Sequence, residues 1–239
     1  MNRPAKKSYK VGLAAMVTAA TVAVPVGLTT VASPADASVT RAAKVHRHAH
    51  ARAAHRLLRN ADLGAGWSAI DVDKLIADKK GQALAFLASA DISPASCVSG
   101  LAIPPGYQAE AHRVFRQGDS TYGPYLGEVV ARFGSADQAK AAVEWAKNKI
   151  NDCKDLTVST SLGAVTISIR PVGARAVSRS ATGYRIDGNL GGFVSAGGQV
   201  FIAQKGRKIV IVGQGAVGQS SNSKLALTRR AAATAFDLI

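Results

Sequence analysis

The sequence predicts an α+β domain, an antiparallel sheet with helices packed over it, held by one disulfide. Three observations carry that prediction. Strand-period and helix-period stretches follow one another from Ala109 onward in the order strand, strand, helix, strands, helix. Residues 200–203 and 209–212 are apolar on both faces and flank Lys205-Gly-Arg207, the pattern of a hairpin at the covered centre of a sheet. The chain has only two cysteines, Cys97 and Cys153, and the second closes the helical stretch. At 239 residues, 47% hydrophobic and 19% charged, the composition excludes a disordered, collagen-like or disulfide-dense protein and leaves room for one domain with appendages.

In chain order, the first segment is an address. Arg3, Lys6, Lys7 and Lys10 precede an Ala- and Val-rich apolar run over residues 11–31, and Ala35-Asp36-Ala37 places small residues where a signal peptidase reads. Residues 1–37 are read as a signal peptide cut before Ser38. The rival is an uncleaved anchor, because roughly 20 apolar residues can span a bilayer; Pro25, Pro34 and the Ala-x-Ala site favour cleavage. No cysteine stands there to take a lipid, so the expected product is secreted, extracellular or cell-surface associated. Cleavage takes four cations and Asp36 out of a formal charge of +15, leaving +12. In an oxidising exterior Cys97 and Cys153 are expected to pair, which in the chain-entropy view is worth about 4 kcal/mol for a loop of this length.

Residues 38–56 form a basic arm. From residue 41 to residue 59, across the arm and into the first residues of the domain, Arg41, Lys44, Arg47, Arg52, Arg56 and Arg59 supply six of the twelve net charges with no acid among them. Such a block associates electrostatically with anionic polymers or a membrane surface. His46, His48, His50 and His55 lie in it, but without a carboxylate or Cys to orient them no metal is assigned.

Residues 57–239 are read as a single domain. Leu57, Leu58 and Leu63 lead into it, Gly64 and Gly66 let the chain double back, and Trp67 is placed on the core surface. Residues 72–92 suggest two short helical pieces. Asp71-Val-Asp73 lacks the further ligands and final Glu of a calcium loop. Strands are predicted at 109–116 and 125–133, the latter half-buried with Glu128 and Arg132 outward. Ser135 and Gln138 make a capping-box pattern, and Ala139, Ala142, Val143, Ala146 and Ile150 recur on one face, predicting a helix over 136–152. Further strands are expected at 162–170, stopped by Pro171, and at 175–186, with a closing helix over 223–239.

No catalytic signature stands out. Gly213-Gln-Gly215-Ala-Val-Gly218 has the spacing of a dinucleotide fingerprint but lacks the second strand and acid, so a strand-to-helix turn accounts for it. Outside the arm the only histidine is His112, read as a strand-surface residue, and no nucleophile elbow, P-loop or zinc motif is present. No catalytic residue, cofactor or metal is therefore assigned. A secreted hydrolase using Glu110 and Glu128 is the alternative, and a polycationic adhesive acting through the arm is a third reading. The better candidate site is Arg170, Arg175, Arg179 and Arg185, which meet no acid before Asp187, with Arg175 and Arg179 on one strand face. Their guanidinium forks match carboxylate or phosphate, Tyr184 offers a stacking surface for a sugar ring, and Tyr122 in the loop 117–124 marks a mobile rim. Charge that protects an edge strand from aggregation explains the same arginines equally well.

On residues 58–67 (Leu-Arg-Asn-Ala-Asp-Leu-Gly-Ala-Gly-Trp), the Cys97 segment, the strand 128–133 leading into Ser135-Ala-Asp-Gln-Ala, Trp145 and Cys153, and the hairpin 199–213, the chain resembles the actinobacterial sensor domains of the PknH-like extracellular domain family. The resemblance implies a sensor-domain-like α/β sandwich with a ligand cleft, non-enzymatic, sensing at the cell envelope. Receptor-kinase members follow a transmembrane helix and commonly carry two disulfides, whereas this chain has one cysteine pair and no kinase. The expectation is a free-standing monomer that binds an anionic or glycan envelope ligand and no specific nucleic acid.

Overall fold

A computed structural model of the chain describes residues 57–71, 91–94, 97, 108–119, 124–160, 163–190, 194–218 and 224–239. The leader, the arm, Tyr122 and residues 72–90 of the helical pieces expected over 72–92 lie outside them; the last two residues of that stretch, Asp91 and Ile92, are strand instead. Among the described residues nine strands, β1 (Trp67–Ile70), β2 (Asp91–Ser93), β3 (Gln108–Gln117), β4 (Tyr125–Arg132), β5 (Asp155–Thr160), β6 (Gly163–Val172), β7 (Thr182–Leu190), β8 (Val194–Lys205) and β9 (Lys208–Val217), form one sheet. Its order is β1-β3-β4-β9-β8-β7-β6-β5-β2, with every pairing antiparallel. The helices among the described residues are α1 (Asn60–Leu63), α2 (Ala136–Asp152) and α3 (Leu225–Leu238).

The two longer helices sandwich the centre of the sheet, as the α+β prediction requires. On one face Ala231, Ala232 and Ala235 of α3 pack with Phe115, Leu126, Val130, Phe201, Ala203, Val210 and Val212, joined by Leu57, Leu58, Leu63 and Trp67. On the other, Ala139, Ala142 and Val143 of α2 pack with Ala131, Tyr184, Val200, Ile202 and Ile209. Small alanines let both helices lie close to the β8–β9 hairpin, which explains why those strands read as apolar on both sides. The hairpin is longer than its apolar centre and closes over Gly206 and Arg207.

Helix α2 has the predicted bounds, and Ser135 Oγ accepts the Gln138 N–H at 3.1 Å to start it. Leaving β4 near the middle of the sheet, it delivers the chain to β5 near the far edge. There the disulfide joins Cys153, at its C-terminus, to Cys97, with 5.7 Å between the Cα atoms, and Cys97 N–H bonds the Pro94 carbonyl at 3.0 Å just beyond β2. One bridge thus ties the helix to the β2–β5 margin.

Four expectations are corrected. Strand β4 is not half-buried: its first seven residues are buried, because α-helical layers cover both of its faces. Gly213 and Gly215 lie inside β9, not in a strand-to-helix turn, and α3 opens only at Leu225. Trp67 is buried, at 5% exposure, not on the core surface. Strand β7 begins at Thr182, and residues 173–181 are a connection whose Ala174 and Val177 plug the α3-side core.

Candidate functional site

Strand alternation divides the α3 face of the sheet into two halves. Under α3 it is apolar; beyond, the same face turns polar. From β9 to β6 one row runs Gln214, Gln199, Arg185, Arg170, each directly opposite the next. The neighbouring row brings Asp187, Ser168 and Asp155 together across β7, β6 and β5. Exposed Asn189 and Thr166 stand opposite one another beyond it. Gln199 and Gln214 are buried, and Gln214 Oε1 has no hydrogen-bond partner.

Arg170 is spoken for. Its Nη2 meets Asp155 Oδ1 at 2.6 Å, and Nη1 donates to the carbonyls of Lys154 and Ile169 at 3.0 Å each. The hydrogen bond from this guanidinium holds the Asp155 carboxyl below the usual range. Arg185 is different. Its Nε is buried without a hydrogen-bond partner, and Asp187 Oδ2, at 3.9 Å, is too far to supply one. A third arginine, Arg229 of α3, also has a buried Nε with no partner; its Nη2 reaches to within 3.9 Å of where a Cβ on Gly173 would stand.

Of the residues predicted for the site, Arg170 and Arg185 are brought together. Arg175 and Arg179 do not share a strand face: both are exposed in the connection 173–181, where a turn interrupts the extended chain. Tyr184 precedes Arg185 on the same strand and so points to the opposite face, where it is buried under α2 at 4% exposure. The edge-protection reading of the arginines also fails, because β6 and β7 are flanked on both sides and the sheet's edges are β1 and β2. Sequence reasoning missed Gln199, Gln214, Asp155 and Arg229, which gain meaning only from register and from the seating of α3.

Glu128, offered as a hydrolytic acid, is fully buried. Its Oε2 accepts the Leu58 N–H at 2.7 Å, and burial pushes its carboxyl up to about 7 against the lowering effects of that bond and of Arg113. Nothing of the Glu110 side chain is described. Among the described residues no three His, Cys, Asp or Glu groups gather to hold a metal ion, and no helix is long and apolar enough to cross a membrane.

Compared with solved structures, the chain superposes on the extracellular domain of PknH from Mycobacterium tuberculosis with a TM-score of 0.52, over 79% of this chain and 95% of that one. This chain has that domain's fold. The resemblance drawn from the sequence motifs is thereby met in the architecture, and at 14% identity the likeness to PknH is one of fold. An uncharacterized protein of Mycobacterium smegmatis, the Rv0999 ortholog, aligns over 80% of this chain and 95% of that one at 12% identity and a TM-score of 0.39. No family model matches the chain, and no curated protein matches it.

Proposed function

We propose that this chain is an extracytoplasmic, sensor-like binding domain that takes an anionic or glycan-type envelope ligand on the polar half of its α3 face and acts without catalysis. The apposition of Arg170 and Arg185 is the observation that carries the reading. Like charges set opposite one another on neighbouring strands repel. Asp155 relieves Arg170, while Arg185 keeps a buried donor unbonded, which is the state of a guanidinium fork awaiting an oxyanion. The amides and hydroxyls in the adjoining rows suit the ring hydroxyls of a sugar. The PknH-like fold and the Cys97–Cys153 bridge support a place outside the cytoplasm. The non-catalytic reading is supported by the Glu128 carboxylate being closed off behind Leu58.

Calorimetric titration of the full chain with poly(glycerol phosphate), with soluble muramyl glycan fragments and with phosphatidylglycerol vesicles tests it. Binding of one probe that survives moderate salt and is lost in Arg185→Ala, yet persists in an Arg175→Ala/Arg179→Ala double variant, is expected. Equal binding by Arg185→Ala removes the polar half-face from the account. Binding that disappears with salt alone assigns it to the basic arm.

A further inference from the structure

Glu128 and Arg113 take no part in the polar half-face. They stand opposite one another on β4 and β3 and together grip the backbone of one residue, through the peptide groups on either side of its Cα. Glu128 Oε2 accepts the Leu58 N–H at 2.7 Å, and Arg113 Nη1 donates to the Leu58 carbonyl at 2.7 Å. The gripped residue lies 70 positions earlier in the chain than the glutamate, immediately after the basic arm. Leu57 and Leu58 are themselves buried, packed in the core with Leu63, Trp67, Phe115 and Leu126. A glutamate in the middle of such a face is costly unless it is bonded there. Here half of its bonding capacity is unused, since Oε1 is buried and has no hydrogen-bond partner.

We propose that the Arg113–Glu128 pair is a pH-governed latch on the root of the basic arm, keeping residues 57 and 58 docked in acidic surroundings and loosening them as the medium approaches neutrality. A neutral carboxyl still offers its carbonyl oxygen to the Leu58 N–H, and Arg113 keeps its bond to the Leu58 carbonyl, so protonation leaves the grip intact. An ionised carboxylate instead holds charge in a water-excluded site with an empty acceptor. Lifting Leu57 and Leu58 admits water to it. The charged groups facing it are few among the described residues. From β3 comes Arg113, which favours the ionised form, and from α1 comes Asp62, which opposes it. Strand β9 sets Val212 opposite, and α3 brings Ala231, Ala232 and Ala235 to the same core. Burial pushes the docked carboxyl up to about 7 from an ordinary 4.5. Docking is therefore strongest below the ordinary value, weakens as pH rises through that window, and levels off above it.

Amide hydrogen exchange of the full chain, corrected for intrinsic rates, tests the latch. The opening constant of the Leu58 amide should rise roughly seventyfold from pH 5 to 8, and at each pH it should exceed that of the Val212 amide, so that the segment lifts before the core opens. In Glu128→Gln, which keeps shape and acceptor, the pH dependence should vanish. Leu58 exchanging only as slowly as Val212 at every pH, or an unchanged pH dependence in Glu128→Gln, overturns the proposal. If that variant does not fold, carboxyl NMR of the unaltered protein decides: titration of Glu128 near 7 supports the latch, and titration near 4.5 overturns it.

Discussion

Gly183 gives the sharpest test of the packing that separates the apolar from the polar half of the α3 face. It lies opposite Phe201 on β8 and Val172 on β6, two register positions from the Arg185–Arg170 pair and on the same face. A Cβ added there would stand 2.6 Å from Phe201 Cε1, 2.8 Å from Cδ1 and 3.1 Å from Val172 Cγ2. Carbon atoms settle at about 3.5–4.0 Å, so the ring would have to retreat by about 1 Å. It has little room to do so, being 1% exposed and packed into the α3-side core. Overpacking of this kind costs about 1–3 kcal/mol. With two ring atoms overlapped the upper part of that range applies, less the roughly 0.5–1 kcal/mol that Ala recovers over Gly in a strand. Gly183→Ala should therefore destabilise by about 2 kcal/mol, lowering Tm by roughly 4–8 °C for a domain of this size. Urea denaturation should show a lower midpoint at an unchanged slope. Repeated in a Phe201→Leu background, where the shorter side chain leaves space, the substitution should cost at least about 1 kcal/mol less. An unshifted midpoint, or a cost unaffected by Phe201→Leu, would refute the contact.

Two further outcomes follow from the same interior. Because burial raises the Glu128 carboxyl from 4.5 to about 7, the native state holds a proton that the unfolded chain has lost between those values; stability is full below the lower one and falls by about 3 kcal/mol as pH passes the upper. Urea midpoints measured from pH 4 to 8 should show this slope in the unaltered chain and a flat profile in Glu128→Gln, and parallel profiles would exclude a buried titrating carboxyl. Reducing the Cys97–Cys153 bridge, which spans 56 positions, should cost about 4 kcal/mol. Thermal unfolding with and without reductant checks it, and coincident curves would mean that the bridge constrains nothing.

How far the fold was legible depended on whether a segment's partners lay in its own stretch of chain. Helix α2 was readable to the residue, because its apolar stripe, its Ser135 cap and the following Cys153 are all local. The β8–β9 pair was readable for the same reason, as a hairpin closes on itself. Strand β4 misled because Glu128 and Arg132 share one face of it, which by alternation alone looks solvated. In the sheet β4 sits between β3 and β9 under two covered faces, and Glu128 is drawn inward by a backbone group that arrives from the far N-terminal side. No local pattern announces that a carboxylate's partner is a peptide N–H 70 residues away.

The candidate site was half legible for a related reason. Alternation alone forbids Tyr184 and Arg185 from lining one surface, since neighbours on a strand face opposite ways, and that much could have been read from the sequence. The pairing of Arg170 with Arg185 could not. It depends on which residue of β7 meets which residue of β6 once the nine-residue connection 173–181 has been absorbed. That connection is fixed not by its arginines but by Ala174 and Val177, whose burial against the α3-side core holds the two strands in this register. A one-residue slip would turn Arg185 toward α2 and bring Tyr184 onto the polar half-face. The apolar plug in the loop and the opposed arginines are consequently one feature: the residues that decide where the charge stands are the ones that carry none.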